Sequence, residues 1–300
     1  MARSKQFGAR PTLACEITPG RVISARASRS AQQLELITSR RLAEGALKPA
    51  MSGTNVLDRT ALADAINSSL TSVGGNSRDV IAIVPDAAIR VLLLEFETLP
   101  PKAQDAEAVV RFRLKKALPF DVEQAALSYE AHRTGKSVQV VAAISPKEVV
   151  EEYQAVFRAA GYSPGVLLPS SLAALGLVEG ETPTLLLKVD PHSITVAAAE
   201  RQELRLMRTL DNPHGEDVSA TELAEAVLPS IMFFEDTFGA RIEKIFISGV
   251  ASIREAGPML HEHTGARVEE LAPVVSSGQT LSGDNFPPSM MAGVAGALLG

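Results

Sequence analysis

Five histidines, a single cysteine and a few paired serines are the side chains with obvious metal or nucleophile chemistry. His261 and His263 lie two apart, which puts them on different faces of a helix, so they do not preform a metal pair and read as solvated histidines. His192 and His214 fall in loops that could meet in space. No cysteine cluster accompanies them, so a zinc site lacks its ligand set. Ser68-Ser69 and Ser170-Ser171 have no nucleophile-elbow setting. Cys15 cannot close an intrachain disulfide, fits a reducing compartment, and reads as a small buried residue in a strand. Two acids remain, each just ahead of a proline turn: Glu16 before Pro19-Gly20, and Asp190 before Pro191-His192. Read locally, Asp190 simply starts a turn.

Composition narrows the classes. The chain has 300 residues, 46% hydrophobic and 21% charged, a globular balance for one large domain or two. Aromatics reach only 4% with no Trp, which leaves few stacking platforms for single-stranded nucleic acid. The net charge of -6 provides no global field for DNA, RNA or acidic lipid. No run approaches the ~20 apolar residues of a membrane span. Arg3, Lys5 and Arg10 are not followed by an apolar segment, so residues 1–10 read as a short disordered tail, not a secretory signal. Membrane association would have to come through a partner.

The elements that must position these residues are legible from pattern. Thr12–Thr18 is a strand ending at Pro19-Gly20; Val22–Ser28 and Gln33–Ser39 follow. Asp58 or Thr60 can cap a helix carrying Leu62, Ala65, Ile66 and Leu70 on one face. Asp79–Val84 is a buried-type strand. The same order recurs with Thr184–Val189, Ser193–Ala199 and Glu203–Thr209. A helix from about Ala220 to Phe238, kinked by Pro229, then leads to the strand Lys244–Ser248. Three strands, a helix and a strand thus appear twice, roughly 170 residues apart. This is the core of a ribonuclease-H-like unit, and two of them facing each other make the actin and sugar-kinase architecture. Beyond it, Pro258 opens a short helix, Arg267–Glu270 follows, and Gly283–Pro288 reads as a surface loop.

Between the units, about Arg90 to Pro164 reads as a β-α-β-β-α insertion. It has a strand Leu92–Glu97, a helix Gln104–Leu118 stopped by Pro119, strands Ala126–Ala131 and Ser137–Ile144, and a helix opened by Pro146. That last helix carries Val149, Tyr153, Val156, Phe157 and Ala160 on one face. The domain expectation is therefore a first lobe of 11–89 with 165–183, an inserted subdomain of 90–164, and a second lobe of 184–300.

Inside this frame, Leu118-Pro119-Phe120-Asp121-Val122 with Leu127-Ser128-Tyr129-Glu130 resembles a segment of the PilM family. So do Val140–Ile144 and Ala160-Gly161-Tyr162. Ser248-Gly249-Val250-Ala251 through Gly265 to Leu271-Ala272-Pro273 resembles its SGG…G…L-x-P end, and Ala292–Leu299 its final glycine-alanine helix. The likeness runs over nearly the whole chain, and the order of the motifs carries it. It implies an α/β, actin-like two-lobe fold whose inserted subdomain sits as in the division protein FtsA. It also implies a cytosolic scaffold recruited to the inner membrane in a type IV pilus assembly platform, and a partner: the cytoplasmic N-terminal tail of a PilN-like membrane protein. That tail would lie between the first lobe and the insertion, along Leu92–Pro101, the helix Gln104–Leu118 and the Asp79–Asp86 edge. Leu99, Val109, Val110, Arg113 and Lys116 are the expected contacts, apolar pockets with charges on the rim. The basic run also reads as a solvated helix face. Self-association stays open.

In the family, two glycine-bearing hairpin turns hold nucleotide phosphates, since glycine lets backbone N–H groups approach. Here the first turn is Glu16-Ile17-Thr18-Pro19-Gly20, against a family D-I-G-S-S. The second is Asp190-Pro191-His192-Ser193, without glycine. The adenosine-side motif is Ser248-Gly249-Val250, short of its second glycine. Each proline also removes a donor. Each lost phosphate contact is worth about 1–3 kcal/mol, enough in sum to move micromolar binding, about -8 kcal/mol, towards millimolar. The expectation is a pseudo-ATPase with degenerate or absent nucleotide binding. The alternative is an active actin-like ATPase with Mg-ATP, keeping Glu16 and Asp190 as metal-side carboxylates and Thr18, Gly20, Ser193, Ser248 and Gly249 around the nucleotide. A further alternative is the cytoplasmic part of a type II secretion L-type protein, although those normally continue into a transmembrane helix and this chain ends at Gly300.

Overall fold

The computed structural model describes residues 10–28, 33–135, 137–249, 253–273, 280–284 and 286–300. Residues 1–9 of the expected tail, Val250-Ala251 and the segment Val274–Gly278 lie outside these.

The first unit comprises β1 (Leu13–Thr18), β2 (Arg21–Ala27), β3 (Leu34–Arg41), α1 (Arg59–Val73) and β4 (Asp79–Val84). The insertion supplies β5 (Arg90–Phe96), α2 (Ala103–Leu114), β6 (Ala125–Thr134) and β7 (Ser137–Pro146). Then come α3 (Lys147–Ala159), β8 (Ser163–Pro169) and the short α4 (Ser170–Ala174). The second unit has β9 (Thr184–Asp190), β10 (Ser193–Glu200), β11 (Glu203–Asp211), α5 (Ala220–Phe238), β12 (Lys244–Gly249), α6 (Ile253–Thr264) and β13 (Arg267–Glu270). β14 (Thr280–Gly283) and α7 (Ala292–Leu299) follow.

The duplication is visible in the sheets. One sheet runs β14-β3-β2-β1-β4-β8 and the other β11-β10-β9-β12-β13, so five strands match position for position. In each, the first three strands are antiparallel and the last two join in parallel. The unit is longer than the sequence pattern suggested: α3 and β8 complete the first copy as α6 and β13 complete the second.

That moves a boundary. α3 was expected to close the inserted subdomain. Instead its apolar face, Val149, Tyr153, Val156 and Phe157, is buried with Leu62, Ile66 and Leu70 of α1 in the first-lobe core. The insertion is the three-stranded sheet β5-β7-β6 with α2 on one face. The other end of the chain also changes place. β14 pairs in parallel with β3, and α7 packs Val294, Ala295 and Leu298 against Ala14, Ile23 and Ala25. The 184–300 segment therefore divides: its last part belongs to the first lobe. A ladder pairing and an apolar helix surface decide this, and neither depends on chain order. Arg10 reverses its expectation too, since its guanidinium donates to the carbonyls of Ala297 and Gly300 and so caps α7. Pro258 lies inside α6 instead of opening a helix.

Local signals were mostly obeyed. Asp58 caps α1 by accepting from Ala61 N–H at 2.9 Å. α5 starts on a Ser219/Glu222 capping box and ends at Gly239 with φ 64°, and it runs through Pro229.

α4 and α7 cross at very close range. A Cβ on Gly296 would fall 2.0 Å from the Ala173 carbonyl oxygen. Backbone cannot retreat as a flexible side chain can, so Gly296→Ala should destabilise the chain by about 1–3 kcal/mol or more, read by urea unfolding. Gly165→Ala, with nothing within 4 Å of its Cβ, should stay within about 0.5 kcal/mol of wild type.

Candidate functional site

Strand periodicity aims the charged residues. On β1, Leu13, Cys15 and Ile17 enter the helix-covered core, so Ala14 and Glu16 face the other way. On β9, Leu185, Leu187 and Val189 enter the second-lobe core, leaving Leu186, Lys188 and Asp190 on the opposite face. Both hairpins close with a two-residue turn: Thr18 pairs Arg21 across Pro19-Gly20, and Asp190 pairs Ser193 across Pro191-His192. Counted from these closing pairs, Glu16 and Lys188 occupy equivalent positions of the two units. Glu16 and Asp190, which the motif reading treated as counterparts, do not.

The two equivalent side chains meet between the lobes. Lys188 Nζ lies 3.4 Å from Glu16 Oε1 and 2.9 Å from Asp190 Oδ1. Lys188 is 4% and Glu16 1% exposed. Ser170, opening α4, donates its hydroxyl to Glu16. Ser171 donates both its N–H, at 2.9 Å, and its hydroxyl to the buried Asp86. Glu16 Oε2 has no hydrogen-bond partner among the described residues and lies against Gly293, where a Cβ would come within 2.2 Å of it. Asn212 braces the second turn by donating to the Asp190 carbonyl at 2.9 Å.

Burial drives the protonation of this cluster. It pushes Glu16 above the usual carboxylate range, against the opposing pull of Lys188 and Ser170. It does the same to Asp86, helped by nearby Asp190. For Lys188, burial acts to lower the pKa, but Asp190, Glu16 and Asp86 together outweigh it and hold the ammonium charged, above the usual lysine range.

Above the cluster opens a cleft of about 800 Å³, lined by both hairpin turns and by Arg41, Leu42, Leu47, Lys48 and Leu57. Glu16, Thr18, Gly20, Asp190 and Gly249 all line it. Ser193 and Ser248 do not: both are buried, and the Ser248 hydroxyl is bonded to the Ser289 carbonyl at 2.9 Å. Gly249 has a packing reason of its own, since at φ 93° a Cβ there would fall 2.0 Å from the Val189 carbonyl oxygen. A divalent metal fits poorly here. The position between Glu16 and Asp190 holds an ammonium, and Mg²⁺ needs oxygen ligands near 2.1 Å. Among the described residues no cluster of three or more His, Cys, Asp or Glu could hold a metal ion.

On the insertion, α2 divides by helical spacing. Ala106, Val110 and Leu114 form the buried stripe over β5-β7-β6. Val110 is therefore core, not a partner contact, which corrects the expectation. Val109, Arg113 and Lys116 are exposed, as is Phe112 at 69%; Leu99 is half-buried. Arg111 is structural, donating to Glu107 and to the carbonyls of Val122 and Ala125. The Asp79–Asp86 segment is no groove edge, because β4 is paired on both sides by β1 and β8.

The whole chain superposes on a chain of the PilM–PilN type IV pilus biogenesis complex with TM-score 0.77 and 20% identity, covering 97% of this chain and 98% of that one. A Bacteroides thetaiotaomicron protein with an actin-like ATPase fold gives TM-score 0.50 and 12% identity, over 87% of this chain and 90% of that one. The fold is actin-like. The actin-like architecture also matches the cytoplasmic domain of EpsL, an inner-membrane component of the Vibrio cholerae type II secretion system, at TM-score 0.55 and 13% identity, over 95% and 94% of the two chains. No protein-family model matches the sequence, and no curated protein matches it. Among the described residues no helix is long and apolar enough to cross a membrane.

Lys188, Asp86, Ser170 and Ser171 were missed as site residues. Lys188 had one available signal, a lone lysine in the otherwise apolar strand Thr184–Val189. The contact of Glu16 with Gly293 is testable by a double-mutant cycle. Gly293→Ala should destabilise the wild type by displacing the carboxylate. In a Glu16→Ala background the same change should do much less harm, with a coupling of about 0.5–3 kcal/mol in thermal or urea unfolding.

Proposed function

We propose that this chain is a cytosolic scaffold of a type IV pilus-type assembly platform, recruited to the inner membrane by holding the cytoplasmic N-terminal tail of a PilN-like protein. The observation that carries this reading is the end-to-end likeness to a chain of the PilM–PilN complex, insertion included. The outer face of α2 supports it: Phe112 and Val109 stand exposed beside Arg113 and Lys116, an aromatic anchor with a cationic rim suited to a short peptide bearing acidic and apolar residues. The likeness to the EpsL cytoplasmic domain supports a second reading, a type II secretion component. Genes for small single-span membrane proteins beside this one favour the pilus reading, and their absence removes it.

The cleft reads as a pseudo-ATPase site. Both phosphate-side turns are two-residue hairpins containing proline, and the two candidate metal carboxylates already share an ammonium. Mg-ATP should bind no tighter than millimolar in isothermal titration and should not turn over. Micromolar binding with hydrolysis would overturn this half of the proposal.

For the partner face, Arg113→Glu combined with Lys116→Glu should weaken capture of the tail by about tenfold or more, each reversed charge at a rim costing on the order of 1 kcal/mol. The melting temperature should stay unchanged, because both side chains are exposed. Undiminished capture by this folded double variant would rule out the α2 face.

A further inference from the structure

The relation between the two hairpins leads to a function for Lys188. Glu16 and Lys188 stand at equivalent positions of the two units, and their side chains meet in the space between the lobes. Asp190 accepts from the same ammonium at 2.9 Å. Glu16 Oε2 is buried, has no hydrogen-bond partner among the described residues, and is held against Gly293. Among the described residues Lys188 is the one cation of this buried cluster, facing carboxyls from β1, from the turn after β4 and from β9. A charge in such a place is retained only if it is paired well.

We infer that Lys188 is an internal counter-cation: its ammonium stands between the carboxyls of Glu16 and Asp190, where a bridging cation would otherwise be needed, and ties the two lobes together. The ammonium carries one positive charge on a fixed tether, reaches carboxylates of both lobes, and excludes a second cation from the same spot by like-charge repulsion. The inference rests on the degenerate-cleft part of the reading above and is independent of the pilus part.

The test uses the full chain and Mn²⁺ alone, followed by the electron paramagnetic resonance signal of free Mn²⁺. Wild type should show no tight site. Lys188→Ser removes the repelling charge while leaving Glu16 and Asp190, so it should bind Mn²⁺ about tenfold or more tighter than wild type. The gain should vanish in Lys188→Ser combined with Asp190→Asn. Equal Mn²⁺ binding by wild type and Lys188→Ser, or a gain that survives loss of Asp190, would overturn the inference. If Lys188→Ser does not fold, melting temperatures decide. Lys188→Met alone should melt well below wild type, and the triple change Lys188→Met, Glu16→Gln and Asp190→Asn should recover most of the loss, because ammonium and carboxylates leave together. A Lys188→Met variant as stable as wild type would sink the idea. Since no nucleotide is present, wild-type Mg-ATP binding alongside the expected Mn²⁺ pattern would overturn the weak-nucleotide reading and leave this one standing.

Discussion

Moving an ammonium from water into a protein interior costs several kcal/mol, and the loss is recovered only where carboxylates meet it at hydrogen-bonding distance. In this protein the carboxylates that meet Lys188 come from both lobes, Asp190 from its own strand and Glu16 from the other sheet. Separating the lobes would break the Lys188–Glu16 contact. The contact between the lobes thus has an electrostatic component. Burial works against the charged form of Glu16 and Asp86, and at Glu16 the Lys188 ammonium and the Ser170 hydroxyl oppose it.

Packing reinforces that contact. Val91 and Leu93 of β5 meet Leu186, Ala197 and Met207 on the inner face of the second sheet, so the insertion belongs to the first lobe in sequence but leans on the second. Gln139 adds a hydrogen bond to the Leu204 carbonyl at 3.2 Å. Below, α4 and α7 cross with Gly296 against the Ala173 carbonyl, too close for any side chain. α4 also carries Ser170 and Ser171, which hold Glu16 and Asp86. The crossing thus fixes, within the first lobe, the hydroxyls that hold the charged cluster. The scaffold role proposed above would gain from this, because an insertion braced by the second lobe would lose little freedom on docking a peptide.

Much of the architecture was legible in the sequence. The hairpin strands β1-β2 and β9-β10-β11, the helix α1 with its Asp58 cap, the helix α5, and the doubling of the unit all follow from local pattern. What escaped was long-range. α3 shows a clean apolar face, but periodicity does not say which core receives it. β14 is four residues in a polar stretch, and only its ladder with β3 makes it a strand. Val110 and Val109 look alike in sequence; one residue is 100° around the helix, enough to bury the first and expose the second. For the cleft, the motif reading picked out Glu16 and Asp190, which the structure brings to one ammonium. It missed Lys188 because a lysine in an apolar strand is silent about its partners. The tight turn also shifted the alignment by two residues, so the equivalence of Glu16 with Lys188 emerged only from the hairpin register.

The central claim is that the lobes are held together from within, not by a nucleotide. The inter-lobe distance tests it most directly. Glu44 and Asp217 are exposed on opposite lobes and Cys15 is buried, so spin labels at Glu44→Cys and Asp217→Cys would report that distance without interference from the native thiol. The account predicts one narrow distance distribution, the same with and without Mg-ATP. A broad distribution that narrows only when Mg-ATP is added would contradict it.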